Sequence, residues 1–182
     1  TQGVSSAASD VYKRQARGSG ASSMAGHSVN GVDQVTLVLV RHGQSEGNVA
    51  AEAALRDDLE RIDVPARDPD IELSELGRRQ AAAVGTWLAK QPADDQPDVT
   101  WTSPYRRARQ TGQIALDEAS LELPVLVDER LRDRDMGVTD MLTGRGIRDA
   151  YPEEAKRREW IGKFYYRPSG GESLSLIHIS EP

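Results

Sequence analysis

Short apolar runs alternate with stretches of helical periodicity along the middle of this chain, and that alternation constrains its fold most. Val35 to Val40 is a β-branched run of the kind buried in a parallel sheet. "DVTWTS", Asp98 to Ser103, reads as a second strand, and Pro124 to Val127 as a third. Ala50 to Leu59 is alanine-rich and helical in pattern. In "SELGRRQAAAVGTWLAK" the residues Leu76, Ala83, Val84, Trp87 and Leu88 recur on one helical face, and Ser74 is placed to cap the first turn. Pro104 opens a further helix that runs to about Leu116. This pattern predicts an α/β fold of three layers, a mainly parallel sheet with helices on both faces. "VPARDPDIEL", Val64 to Leu73, contains Pro65 and Pro69 and reads as a surface loop. Beyond Asp128 the sequence predicts loops and one charged helix around Glu153 to Ile161, with no further apolar strand. A doubly wound domain of about three strands is small, which predicts that its C-terminal strands are missing.

Composition narrows the chemistry. With 182 residues the chain supports one domain with a real core. The net charge of −6 implies no broad basic face for nucleic acid, so any anion site must be local. Cysteine is absent, which removes disulfides, cysteine zinc sites and cysteine-nucleophile phosphatases, and fits a cytoplasmic setting. The three histidines, His27, His42 and His178, show no metal-ligand spacing. Leu37 to Val40 falls far short of the ~20 apolar residues a membrane helix needs, and the first thirty residues lack the apolar block of a secretory signal. Residues 1–34 are rich in Ser, Ala and Gly and are expected to form a disordered arm. "SAASDVYKRQ" near the start and "SLIHISEP" at the end resemble adapter read-through. On that reading residues 1–23 and 174–182 are foreign, and 35–173 is the incomplete domain.

In open α/β sheets ligands bind beyond the carboxyl ends of strands. After the first run stand Arg41, His42, Gly43, Ser45 and Asn48; after the second stand Ser103, Arg106, Arg107 and Arg109. A phosphoryl group in transfer carries charge on three equatorial oxygens and needs fixed positive donors. The planar fork of arginine suits this, and a neutral imidazole is a competent nucleophile that needs no metal or organic cofactor. Gly43 would let the backbone approach closely, and Asn48 could donate a further hydrogen bond. The leaving oxygen then requires a proton from a carboxylic acid.

"RHGQSEGN" and "SPYRRARQT" resemble the two signature segments of the histidine phosphatase superfamily, the phosphoglycerate mutase-like fold. "LSELGRRQA" resembles the helix between them, and "RLRDRDMG" the segment that holds the proton donor. "YPEEAKRRE" and "YYRPSGGES" resemble text of the fructose-2,6-bisphosphatase-like and bacterial phosphatase branch. The resemblance covers about Val35 to Ser173. It implies that His42 is phosphorylated in a covalent intermediate, that Arg41 and Arg107 hold the phosphoryl oxygens, and that Asn48 and Ser45 complete the lining. Asp133 falls where the family commonly has a glutamate donor, one methylene longer. Tyr151 and Arg167 match substrate-touching positions, while Gly170 stands where that branch has a lysine. The family's second histidine lies some tens of residues beyond Ser173, and His178 comes too early to replace it.

The resemblance therefore implies a phosphatase acting on a small phosphorylated substrate, with no metal, nucleic acid or membrane partner. Two rivals stay open: a phosphoglycerate-type mutase that returns the phosphoryl group to a bound acceptor, and a non-catalytic fragment with half a pocket and an aggregation-prone sheet edge. "DRD", Asp133 to Asp135, would suit an aspartyl-phosphate enzyme only directly after an apolar strand, and "ERLR" precedes it. "TGRG" and "GGES" read as turns. Arg106 and Arg109 read as solvated helix arginines, and Tyr165 and Tyr166 as either pocket lining or packing.

Overall fold

The computed structural model describes residues 11–12 and 36–179. The chain divides into two units, Thr1–Arg41 and His42–Pro182. In the first, β1 (Val11–Tyr12) pairs antiparallel with β2 (Leu39–Val40), Val11 opposite Val40 and Tyr12 opposite Leu39. This corrects one expectation. The run Val35 to Val40 contributes a two-residue antiparallel strand, exposed at Leu39 and Val40, rather than a buried parallel one. A β-branched run fits either pairing, and its local pattern does not choose the partner. Val11–Tyr12 also forms a strand inside the segment read as a disordered arm; the rest of residues 1–35 and residues 180–182 lie outside the described residues.

The second unit contains α1 (Glu46–Arg56), α2 (Glu75–Leu88), β3 (Thr100–Thr102), α3 (Arg106–Ala119), β4 (Val125–Val127), α4 (Gly144–Ala150), α5 (Pro152–Ile161) and α6 (Leu174–Ile179), with short 3-10 turns between them. Strands β3 and β4 pair in parallel, Thr100 with Val125 through Thr102 with Val127, and α3 is the crossover between them. Here the alternation seen in the sequence becomes a β–α–β unit. Trp101, Val125, Leu126 and Val127 stay exposed on this two-stranded sheet.

The α2–α3 seam forms the core. Val84, Leu88 and Ala115 are buried there, with Trp87, Ala119 and Leu121 packed against them. Ser74 caps α2 as expected, accepting from the Gly77 N–H at 3.1 Å. The buried stripe of α2 is displaced from the predicted one, however. Gly77, Ala81, Val84, Gly85 and Leu88 are buried, while Leu76 and Ala83 are exposed. Small residues won the seam because α3 comes too close for larger ones: a Cβ on Gly85 would lie 2.4 Å from the Ala115 carbonyl oxygen.

Two further departures come from chain segments read as loops. "TGRG" begins α4, with the Thr143 hydroxyl accepting from Gly146 N–H at 3.1 Å. The helix was hidden by its glycines, yet Gly146 is required by a close approach, since a Cβ there would meet the Glu60 carbonyl oxygen at 1.9 Å. The loop Val64 to Leu73 is not simply superficial: it has a 3-10 turn at Asp68–Asp70, and Ile71 and Leu73 are buried. The segment from Leu174 onward, read as foreign, forms α6, and Ser175 N–H donates to the Phe164 carbonyl at 3.1 Å.

Gly77 fixes how α2 meets the His42 turn, because a Cβ there would lie 2.0 Å from the Gln44 carbonyl oxygen. Gly77→Ala should therefore cost about 2–3 kcal/mol in urea unfolding. Gly112→Ala in α3, where a Cβ would meet nothing within 4 Å, should instead gain about 0.5–1 kcal/mol. Equal effects of the two substitutions would contradict this packing.

Candidate active site

The turn after Arg41 is built from backbone outward. Gly43 N–H donates to the Thr111 hydroxyl at 3.1 Å, and that buried hydroxyl donates to the Arg107 carbonyl at 2.7 Å. One side chain thus ties the histidine turn to the first turns of α3, joining the two segments that the sequence proposed to bring together. A Cβ on Gly43 would meet the Gly77 carbonyl oxygen at 2.5 Å, so the glycine is required by the approach of α2. Half-buried His42 lies 2.7 Å through Nδ1 from the Gly43 carbonyl. A carbonyl only accepts, so Nδ1 carries the proton and the lone pair of the neutral ring sits on Nε2.

Ser45 and Asn48 are largely committed to the start of α1. The Asn48 side chain accepts from Ser45 N–H at 2.9 Å and from its hydroxyl at 3.0 Å, and Asn48 N–H donates back to the Ser45 hydroxyl at 3.1 Å. This reciprocal cap satisfies donors at the helix start and fixes where α1 leaves the histidine turn.

Arg107 is the most constrained charge of the site, its side chain only 7% exposed. One terminal nitrogen donates to both the carbonyl and the carboxylate of Asp68, at 2.7 and 3.0 Å, and the other to the second carboxylate oxygen at 3.3 Å. The guanidinium also stacks 4.7 Å from the Tyr105 ring centroid, and its second terminal nitrogen lies 4.0 Å from an Asp133 carboxylate oxygen. Burial and the nearby carboxylates of Asp68 and Asp133 push the Tyr105 phenol up from its ordinary value. Asp68 was missed by the sequence reading, hidden in a proline-bearing loop, because the burial of Arg107 that demands a counter-charge appears only in the tertiary structure. Four residues on, Glu72 pairs with Arg106 at 2.6 Å and Arg78 at 3.0 Å. Arg106 and Arg109 are both exposed, and Arg106 is held by its ion pair to Glu72. The Gln44 carbonyl accepts from Ser74 N–H, and Gln80 accepts from Gln44 N–H.

Asp133 is 67% exposed, and its carboxylate accepts from Arg134 N–H at 2.8 Å. Its loop is held from below. Arg132 makes two 2.7 Å hydrogen bonds to Glu172, whose carboxylate also accepts from Asp135 N–H at 3.0 Å. "GGES" is thus the clamp of the Asp133 loop, not merely a turn. Gly137 closes it with φ +52 and a Cβ position only 2.2 Å from the Ser169 carbonyl oxygen, a place only glycine can occupy. The Arg132 hydrogen bonds, then the Asp135 amide, pull Glu172 down from about 4.5 to about 2.

Among the described residues, neither Tyr151 nor Arg167 is among the hydrogen-bond or ion-pair partners of Arg107 or Asp133. Tyr151 is exposed between α4 and α5, and Arg167 donates to the Gly171 carbonyl at 2.8 Å within the clamp. Tyr166 packs: it is buried, and its hydroxyl donates to Glu154 at 2.7 Å, while Tyr165 is exposed. Arg41 is exposed in the first unit. No cluster of metal-ligating side chains occurs among the described residues, and no helix there is long and apolar enough to cross a membrane.

Thr111→Val should leave the buried Gly43 N–H unpaired and cost about 1–3 kcal/mol in denaturant unfolding; Thr111→Ser should restore most of it. Glu172→Gln should destabilise by about 1–2 kcal/mol at neutral pH. Because the carboxylate is depressed in the folded state, that difference should be full above about pH 4.5 and vanish as pH falls toward about 2. A difference constant across that window would contradict the clamp.

Known proteins are similar to this chain in sequence and fold. The histidine phosphatase superfamily (branch 1) matches residues 37–178. A 2,3-bisphosphoglycerate-dependent phosphoglycerate mutase of Methylorubrum populi is 37% identical over 139 residues, covering 76% of this chain and 58% of that protein. The mycobacterial glucosyl-3-phosphoglycerate phosphatase is 33% identical with a TM-score of 0.55, covering 76% of this chain and 56% of that one. The alpha-ribazole phosphatase of Shigella flexneri, 22% identical with a TM-score of 0.56, covers 75% and 58% and shares the fold. The chain spans just over half the length of these relatives. It belongs to the histidine phosphatase superfamily and has that family's α/β fold.

Proposed function

We propose that this protein hydrolyses small phosphomonoesters through a phosphohistidine on His42. The observation that carries the reading is the 2.7 Å contact between His42 Nδ1 and the Gly43 carbonyl, which sets the ring so that Nε2 is the nucleophilic nitrogen. Nε2 attacks phosphorus, an N–P bond forms and the P–O bond to the leaving group breaks. Arg107 takes the charge on the equatorial oxygens, and the family motif assigns Arg41 to the same group. Asp133, exposed and within 4.0 Å of Arg107, gives its proton to the leaving oxygen. As a carboxylate it then takes a proton from the water that attacks phosphorus and frees His42. Ser45 and Asn48 support this lining by fixing α1, and Tyr151 and Arg167 match substrate-touching positions by motif alone. The cysteine-free composition and a small phosphorylated substrate suit a cytoplasmic enzyme.

The mutase reading has its own support in the Methylorubrum relative. The two chemistries share the phosphoenzyme and differ in its acceptor, water or a bound alcohol. Incubating the protein with phosphoglycerates and with generic phosphomonoesters separates them: released inorganic phosphate supports hydrolysis, and isomerised product without release supports transfer. His42→Ala should abolish acid-labile labelling of the protein, and labelling that persists in it refutes the assignment. Arg107→Ala should lower kcat/KM by about 10²–10³-fold.

A further inference from the structure

The guanidinium expected to meet the phosphoryl group is already engaged. Asp68 presents a carboxylate to both terminal nitrogens of Arg107, at 3.0 and 3.3 Å, in the two-pronged geometry a phosphoryl group uses. Its backbone carbonyl holds one of those nitrogens separately, at 2.7 Å. The two grips differ in consequence. The carbonyl orients the arginine without changing its charge, whereas the carboxylate neutralises it. Arg107 is nearly sealed from water, but the Asp68 side chain is 34% exposed on a short 3-10 turn, so the carboxylate can swing into solvent while the backbone stays.

Charge makes the exchange necessary. With Asp68 and Asp133 both ionised around one arginine, an incoming phosphoryl dianion would meet a net negative site. With Asp68 turned outward and Asp133 protonated for its role as acid, the arginine meets the dianion unopposed.

We propose that Asp68 is an internal counter-anion of the phosphoryl site: it neutralises Arg107 while the site is empty and yields the fork to the substrate's phosphoryl oxygens. This rests on the reading of Arg107 as a phosphoryl ligand. Asp68 thereby sets the affinity of the site, holding down the binding of simple phosphate so that only a substrate with further contacts displaces it. It also explains how a charge can be buried here without a permanent structural partner.

The test is titration of inorganic phosphate into the full 182-residue chain at pH 7, by calorimetry and thermal unfolding, for the wild type, Asp68→Asn and Arg107→Ala. Asp68→Asn keeps the carbonyl grip and removes the charge. It should melt lower than wild type without phosphate, bind phosphate about tenfold more tightly, and gain more in Tm from saturating phosphate. If Asp68→Asn is unfolded in buffer alone, phosphate should restore its folding, and failure to do so overturns the proposal. Phosphate binding to wild type that Arg107→Ala abolishes, but that Asp68→Asn leaves equal or weaker, overturns the counter-anion role alone. Binding by none of the three overturns it together with the phosphatase reading.

Discussion

A guanidinium removed from water must find a counter-charge, and the arrangement of this site follows from how Arg107 meets that demand. Helix α3 points its first turn inward because Thr111, one turn later, must satisfy the Gly43 N–H, and so Arg107 cannot turn outward to solvent. The loop that carries Asp68 is drawn over it, and the Asp133 carboxylate comes to its edge. The histidine turn, the buried arginine and the Asp133 carboxylate are thereby assembled from segments far apart in the chain.

The close helix pair makes this assembly rigid. Glycines at 77 and 85 allow α2 to approach the histidine turn on one side and α3 on the other, closer than any side chain would permit. Glu72 then locks the loop between them by pairing with arginines from both helices. His42 stands on a backbone turn wedged between packed elements, which suits the role proposed for it, one in which orientation decides reactivity.

Asp133 stands on a different footing. Asp133 is exposed, and the rigid part of its surroundings is the Arg132–Glu172 clamp beneath it. The two carboxylates are separated by environment. Glu172 is held ionised by its arginine, while Asp133 faces solvent at the edge of Arg107.

Much of this was legible in the residues. The motif around His42, the arginine before Ala108, the cap at Ser74 and the β3–α3–β4 alternation each depend on neighbours within a few positions, and local pattern encodes such features. What the sequence alone did not determine are matters of pairing across the fold. The strand at Leu39–Val40 took an antiparallel partner, the buried face of α2 moved to its glycines, and "TGRG" opens a helix in which Gly146 admits the Glu60 carbonyl. Asp68 is the sharpest case. Nothing in "ARDPD" distinguishes it from any solvated loop aspartate, because its role comes from a buried charge 39 residues away, and only the tertiary structure brings the two within hydrogen-bonding distance.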